Sequence, residues 1–471
     1  MKNTPAYYLN MSELSAGYLE KIYSPTEITL TLLDRIRLND SKYNAFATIM
    51  EKEAIKQAEV LTREIHQGKS RGPLHGVPIA LKDLVFTKGV RTMGGTKVME
   101  DHVPQFDAPL VTKLRQAGAV ILGKLNLTEG AMRGYNRARE VPKNPWAIDR
   151  WSGASSSGSG VAVSAGFCFG ALGSDTGGSI RFPSASCGIV GLKPTYGAIS
   201  RHGVIPLAES LDHVGPMTRS VIDAAYMFNA MIGHDDNDQT TLNASPINLS
   251  DFEKPDLEGL KIGYSEDYAQ KGVDSELVAM IRDSLRTLES LGASIITVNV
   301  PDIDEYLPAW RVLCSSEAYQ AHSDFFPDRE QDYGDFFADW LSMGSQVTAG
   351  EYIAANNTRR QCNGIFARVF EDIDALICPT TTSFPETVND EINYGPMVQN
   401  WPKPGQAPHQ RFTVPFDYNG YPTLSLPCGI NEEGMPGSLQ IVGKPSKEGL
   451  IARIGNAYEE RTSTRDFRPI A

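Results

Sequence analysis

Three consecutive serines at 155–157, a GSDTGGS segment ending at Ser179, and Arg181 just beyond it are the residues of this 471-residue chain whose types and spacing could do chemistry. They lie within residues 151–195, WSGASSSGSGVAVSAGFCFGALGSDTGGSIRFPSASCGIVGLKPT. A serine hydroxyl is a weak nucleophile until a base takes its proton. A tetrahedral oxyanion needs backbone N–H groups that converge on one point. Thr176, Gly177 and Gly178 can supply them, because glycine lets a ligand approach the backbone closely. A flexible Gly/Ser linker is a poor reading, since linkers do not carry VAVSAGFCFGAL between their glycines. An anion nest for phosphate fits no better. GSDTGGSIR lacks the GxxxxGK[ST] spacing, and its aspartate would repel the ligand.

The base can be sought in GPLHGVPIALKDL, residues 72–84. Val77 to Leu81 is an uninterrupted apolar run, the pattern of a strand covered on both faces, and Lys82 stands at its end. A lysine there is ordinarily a solvated surface group. A partly buried lysine has its pKa lowered, because desolvation disfavours the ammonium. It then becomes a competent base near neutral pH. Two histidines, His75 and His213, are the alternatives nearest in sequence, and for His213 a structural role is the better reading.

Composition narrows the class. The net charge is −13, with 57 acidic against 44 basic residues, which argues against nucleic acid and against an anionic membrane surface as partners. No run approaches the roughly 18 apolar residues of a membrane span. The start, MKNTPAYYLNMSELSAGYLEK, lacks the basic-then-apolar pattern of an export signal, so the expected location is the cytoplasm. Cys168, Cys187, Cys314, Cys362, Cys378 and Cys428 lie far apart without CxxC or zinc spacing, which reads as structural thiols and no metal.

The positioning elements follow from periodicity. Residues 11–40 read as two short helices, with Ser24-Pro25-Thr26-Glu27 as a start signal: cap, proline at the first position, closing glutamate. A third helix is expected over 51–67, with Ala54, Ala58, Leu61 and Ile65 on one face. Residues 107–124 read as a helix feeding the strand AVILGK, an α/β unit. Ser220 should cap the helix VIDAAYMFNAMI. LKIGYS, SIITVNV, ALICPTT, TLSLPCG and SLQIVGK read as strands, 273–291 and 447–461 as helices, and 306–372 as mostly helical with aromatic punctuation. The Pro/Asn/Gly-rich stretch 383–410 is a candidate lid. Neither a clean linker nor an internal repeat is visible.

Together these motifs resemble the amidase signature family of serine hydrolases. The core run is similar to GGSSGGS…GSDTGGSIRxP…CGxxGLKPTxG, Lys82 in GVPIALKD matches GxPxxxKD, and the two serines stand 24 residues apart (179 − 155) as in the family. The resemblance implies one α/β/α domain over residues 1–471 with a large mixed sheet covered by helices. Its signature core would be about 72–217, its N-terminal helices 11–67, and its substrate-shaping part 255–471. It implies Ser179 as nucleophile, Ser155 as a bridging serine in a cis peptide, and Lys82 as base. Thr176, Gly177 and Gly178 would form the oxyanion hole, and Ser156, Asp175 and Arg181 would orient the site. Ala154 and Ser157 stand where the family often has glycine. Neither metal nor organic cofactor is required.

The family divides into free-standing amidases and the glutamine-hydrolysing component of a tRNA-dependent amidotransferase. The latter more often has an NLAG-type sequence where this chain has Asp417-Tyr418-Asn419-Gly420. The free-standing reading is therefore preferred: a monomer or homodimer acting on a small apolar or aryl amide, carbamate or hydrazide. Met132, Tyr135, Trp310, Cys314, Tyr319, Phe416 and Tyr418 are its expected substrate-binding residues.

Overall fold

A computed structural model of the chain describes residues 5–253, 256–396 and 407–469. Among these, one mixed sheet of eleven strands organises the molecule. The strands are β1 (Phe46–Ile49), β2 (Pro78–Lys82), β3 (Val120–Leu125), β4 (Gly170–Asp175), β5 (Val190–Lys193), β6 (His213–Thr218), β7 (Lys261–Tyr264), β8 (Ser294–Thr297), β9 (Ala375–Pro379), β10 (Thr423–Ile430) and β11 (Pro436–Gly443). Their spatial order is β1-β3-β2-β4-β6-β5-β10-β11-β9-β7-β8. β2 pairs parallel with β3 and β4, and β7 parallel with β8 and β9. The central strands β4, β6, β5, β10, β11 and β9 are joined by antiparallel pairs.

Every residue of β2 to β6, β9 and β11 is buried. Both faces of the sheet are therefore covered, which in a mixed α/β fold requires helices on each side. The first two helices are Met11–Leu19 and Pro25–Tyr43, so the second runs a full 19 residues and is not short. Ser24 and Glu27 form the expected capping box, with Pro25 at the first position, and Ile28, Leu32 and Ile36 face the core. Helix Glu51–His66 buries Ala54, Ala58, Leu61 and Ile65 as its period predicts. Ser220 caps Val221–Met231 by accepting the Asp223 amide.

The aromatic-rich region folds as Leu307–Ala321, Asp335–Ser345 and Ala349–Val369. Of the candidate lid, residues 397–406 lie outside the described residues. Before them Thr387 bridges to Arg150 and Asp390–Tyr394 forms a short helix; after them come the turn His409–Phe412 and the helix Val414–Tyr418. Among the described residues no helix is long and apolar enough to cross a membrane, and no cluster of His, Cys, Asp and Glu is arranged to hold a metal ion. The six cysteines are free thiols.

Candidate active site

Lys82 ends β2, a strand buried at all five positions, and its side chain has no solvent exposure. Nζ donates to Ser155 Oγ at 2.6 Å and to Ser174 Oγ at 2.8 Å. Burial pushes its pKa down from 10.5 to about 7, against the opposing pull of the Asp175 and Asp212 carboxylates. An amine of that pKa is partly neutral at pH 7 and can accept a proton. The structure thus places Lys82 at a strand end, more deeply buried than the sequence suggests, and adds Ser174, the residue before Asp175, as a second hydroxyl on Nζ.

Ser155 follows a cis peptide at Ala154–Ser155 and is fully buried. The next residue ties it to the second serine: the Ser156 amide donates to the Ser179 carbonyl at 3.3 Å. The Ser156 hydroxyl also clamps β4, donating to the Ser174 carbonyl and accepting the Ser174 amide, both at 3.2 Å. Gly153 cannot be replaced: its φ is +81°, and a Cβ there would lie 2.3 Å from Pro183 Cα. Ala154 and Ser157 are accommodated where glycines were expected. Ala154 is 7% exposed, and Ser157 Oγ accepts the Tyr135 hydroxyl at 2.9 Å.

Ser179 follows β4 across a glycine turn held from several sides. The Asp175 carboxylate accepts the amides of Gly178 (2.7 Å), Ile180 (2.9 Å) and Arg181 (3.3 Å). Arg181 grips the same carboxylate from Nε (3.0 Å) and Nη2 (2.8 Å), and Nη2 also reaches Asp417 Oδ2 at 2.7 Å. Burial would raise the Asp175 pKa, but the Arg181 guanidinium outweighs it and holds the group well below the carboxylate range. Asp417, equally buried and sharing that one guanidinium, is pushed up by burial. Trp310 Nε1 donates to the Thr176 carbonyl at 2.8 Å, and Thr413 Oγ1 to the Gly177 carbonyl at 2.6 Å. The C-terminal half thereby fixes the turn's carbonyls. The Gly178 amide, expected to face an oxyanion, is instead committed to Asp175. That leaves the amides of Thr176, Gly177 and Ser179 for such a role.

A small cavity of about 50 Å³ opens on Ser179, lined among others by Ala154, Thr176, Gly177, Met132 and Trp310. Met132 and Trp310 are thus where the sequence reading puts them. Five other expected wall residues do not line it. Phe416 is fully buried against Phe366, with ring centroids 5.0 Å apart. Tyr418 donates its hydroxyl to the Tyr306 carbonyl, Cys314 is fully buried, and Tyr319 packs edge-on to Phe326. Tyr135 faces a separate surface cavity near Asn44. Phe416, Tyr418, Cys314 and Tyr319 pack with the core, because a helix that covers a sheet turns most of its large apolar side chains inward. The wall contains residues the sequence reading missed: Trp151, Phe182, Leu207, Arg133 and Gln410. Trp151 and Phe182 flank the serine motifs in sequence, which is the signal that could have found them.

Two further buried groups are invisible to that reading. Lys193, in GLKPT, has its pKa lowered by burial to about 7, with Asp417 opposing. Asp212 is raised by burial to about 6 and accepts the Thr176 hydroxyl at 2.5 Å. His213 is buried, with Nδ1 2.7 Å from the Leu211 carbonyl, and burial drives its pKa well below 6.5. It stays neutral.

Comparison with known proteins places the whole chain in one family. The chain is 36% identical, over 98% of its length and 99% of the relative's, to the A component of the glutamyl-tRNA(Gln) amidotransferase of Carboxydothermus hydrogenoformans. The native peptide amidase of Stenotrophomonas maltophilia superposes with a TM-score of 0.85 at 30% identity, covering 99% of each chain. A chain of a vestigial complex bearing on the origins of an s-triazine catabolic enzyme gives a TM-score of 0.89 at 30% identity, covering 98% of this chain and 100% of that one. The amidase family model matches residues 27–451. With lysine, paired serines and glycine turn converging in one buried centre on a sheet of this topology, the chain belongs to the amidase family and is an amide hydrolase.

Proposed function

We propose that this enzyme cleaves a small amide through a Lys82–Ser155–Ser179 relay and an acyl-enzyme on Ser179. The observation that carries the reading is the buried Lys82 amine, 2.6 Å from Ser155 Oγ and of pKa about 7. Neutral Lys82 takes the Ser179 proton through Ser155, and Ser179 attacks the carbonyl. The amides of Thr176, Gly177 and Ser179 hold the oxyanion. The proton returns through Ser155 to the leaving nitrogen, and water then releases the acid by the same relay. Trp151, Phe182, Met132 and Trp310 around Ser179 support an acyl or amine group with an apolar or aryl face. Arg133 and Gln410 add polar contacts. The chain acts on such substrates without other subunits.

A second reading, the glutamine-hydrolysing component of an amidotransferase, is favoured by the 36% identity to such a protein. Turnover separates them: the free-standing reading expects the purified chain to prefer an aryl amide over glutamine. Preference for glutamine, or turnover only with added subunits, reverses the assignment. A fluorophosphonate probe with peptide mass mapping tests the relay. One adduct, on Ser179, is expected, with neither labelling nor hydrolysis in Ser179→Ala; an adduct elsewhere or an active Ser179→Ala enzyme refutes it.

A further inference from the structure

Asp212, one residue before β6, is a buried carboxylate that the relay does not use. Its Oδ1 accepts the Thr176 hydroxyl at 2.5 Å, and its Oδ2 accepts the Leu207 amide at 2.9 Å. The Ala208 amide reaches both oxygens, at 3.2 and 3.1 Å. The Asp212 amide closes the same turn on the Ala208 carbonyl at 2.8 Å. Thr176 and Leu207 both line the cavity on Ser179, so one carboxylate ties two parts of that wall together.

Thr176 is the residue at which the Ser179 turn leaves β4. Its carbonyl is held by Trp310 Nε1 at 2.8 Å. A peptide unit is planar, so that bond sets the direction of the Gly177 amide. The bond from the Thr176 hydroxyl to Asp212 then fixes the side chain of the same residue. A neutral acceptor could take the hydroxyl alone. One hydroxyl and two amides converging on a single side chain call for an acceptor without N–H groups, which a carboxylate is and a carboxamide is not. An oxyanion site works only while its amides keep their aim, and a misplacement of about 1 Å costs about a hundredfold in rate.

We propose that Asp212 is a positioning residue for amide cleavage: acting through the Thr176 hydroxyl, it holds the oxyanion amides of the Ser179 turn in register with the Leu207 wall. The proposal rests on the acyl-enzyme reading above. Asp212 touches neither substrate nor the reacting serine in this role. Its contribution appears in the transition state, when charge develops on the carbonyl oxygen and the amides must already point at it.

Thr176→Val removes the hydroxyl and keeps the amide and the branched shape, whereas Thr176→Ser keeps the hydroxyl. Competent sites are counted by exhaustive fluorophosphonate labelling of Ser179, and kcat and KM for an aryl amide are expressed per site. Rates are taken at about pH 9, where Lys82 is neutral with or without the nearby carboxylate, so the charge of Asp212 on the base does not enter. Thr176→Val should lower kcat by about tenfold to a hundredfold with KM changed less than about twofold, and Thr176→Ser should restore most of the loss. Asp212→Asn should lower kcat to a similar extent and add little in a Thr176→Val background, because the two side chains act through one bond. A bond that only stabilises the fold would lower the melting temperature and leave kcat per site at the wild-type value; that result in Thr176→Val overturns the proposal and leaves the relay standing. Losses that multiply in the double variant overturn it equally. Where Asp212→Asn yields no folded enzyme, Thr176→Val against Thr176→Ser decides alone. Absence of a Ser179 adduct in wild type overturns the relay, and this role with it.

Discussion

At the scale of single residues, Lys82 shows how a site is made by withholding water. Its two hydroxyl contacts satisfy part of the amine, yet among the described residues no carboxylate pairs with it directly, so desolvation dominates and the amine is partly neutral near pH 7. This has a measurable stability cost. A base whose folded pKa is about 7 and unfolded value 10.5 binds fewer protons when folded, so wild-type stability falls as pH drops through that window. Lys82→Met should therefore abolish hydrolysis while raising stability by about 1–3 kcal/mol near pH 7. The gain should shrink as pH approaches 10.5, which denaturant titrations at pH 7 and pH 10 would register. A variant less stable than wild type at pH 7 would contradict this. Arg181 is the opposite case. Its guanidinium pairs with the buried carboxylate of Asp175 and also contacts Asp417, so Arg181→Met should destabilise by about 3–5 kcal/mol, read in the same titrations.

At the scale of elements, the sequence makes the motifs legible but hides the strands that carry them. The helices 25–43 and 221–231 are announced by their caps, and 51–66 by its period. β4, β5 and β6 are not. They contain Gly170, Gly173, Gly191 and Gly215 in place of the β-branched residues that signal a strand. The packing explains why: a Cβ on Gly191 would lie 2.2 Å from Ser184 Oγ, and one on Gly215 2.1 Å from the Leu192 carbonyl. Residues this small let neighbouring backbones close on the signature core, at the expense of any period-2 pattern. β1 is likewise hidden, being only four residues long between two helices. The serines, Lys82, Asp175 and Arg181 are readable because motif residues keep fixed spacing. Phe416 and Tyr418 are misread because nothing in a sequence says which side of a covering helix faces the cavity. The consequence is testable. Trp310→Ala should change selectivity between aryl and short aliphatic amides by roughly 1–3 kcal/mol in kcat/KM. Phe416→Ala should leave selectivity alone and lower stability by about 3–5 kcal/mol.

At the scale of the whole molecule, the antiparallel pairs β5–β10, β10–β11 and β11–β9 bring the C-terminal half of the chain against the signature core. Through Trp310, Thr413, Asp417 and Gln440 that half holds the Ser179 turn from behind. The cavity on Ser179 takes Trp310 and Gln410 from that half and most of its remaining wall, Met132, Arg133, Trp151, Phe182 and Leu207 among it, from the signature core.

The central claim, that a neutral buried Lys82 activates Ser179 through Ser155, is tested most directly by the rate of Ser179 labelling with a fluorophosphonate from about pH 5 to about pH 9. The rate should rise with pH through an apparent pKa of about 7 and level off above it, and a residually reactive Lys82→Ala enzyme should have no such limb. A profile that is flat across this range in wild type, or the same limb in Lys82→Ala, would show that another group removes the proton.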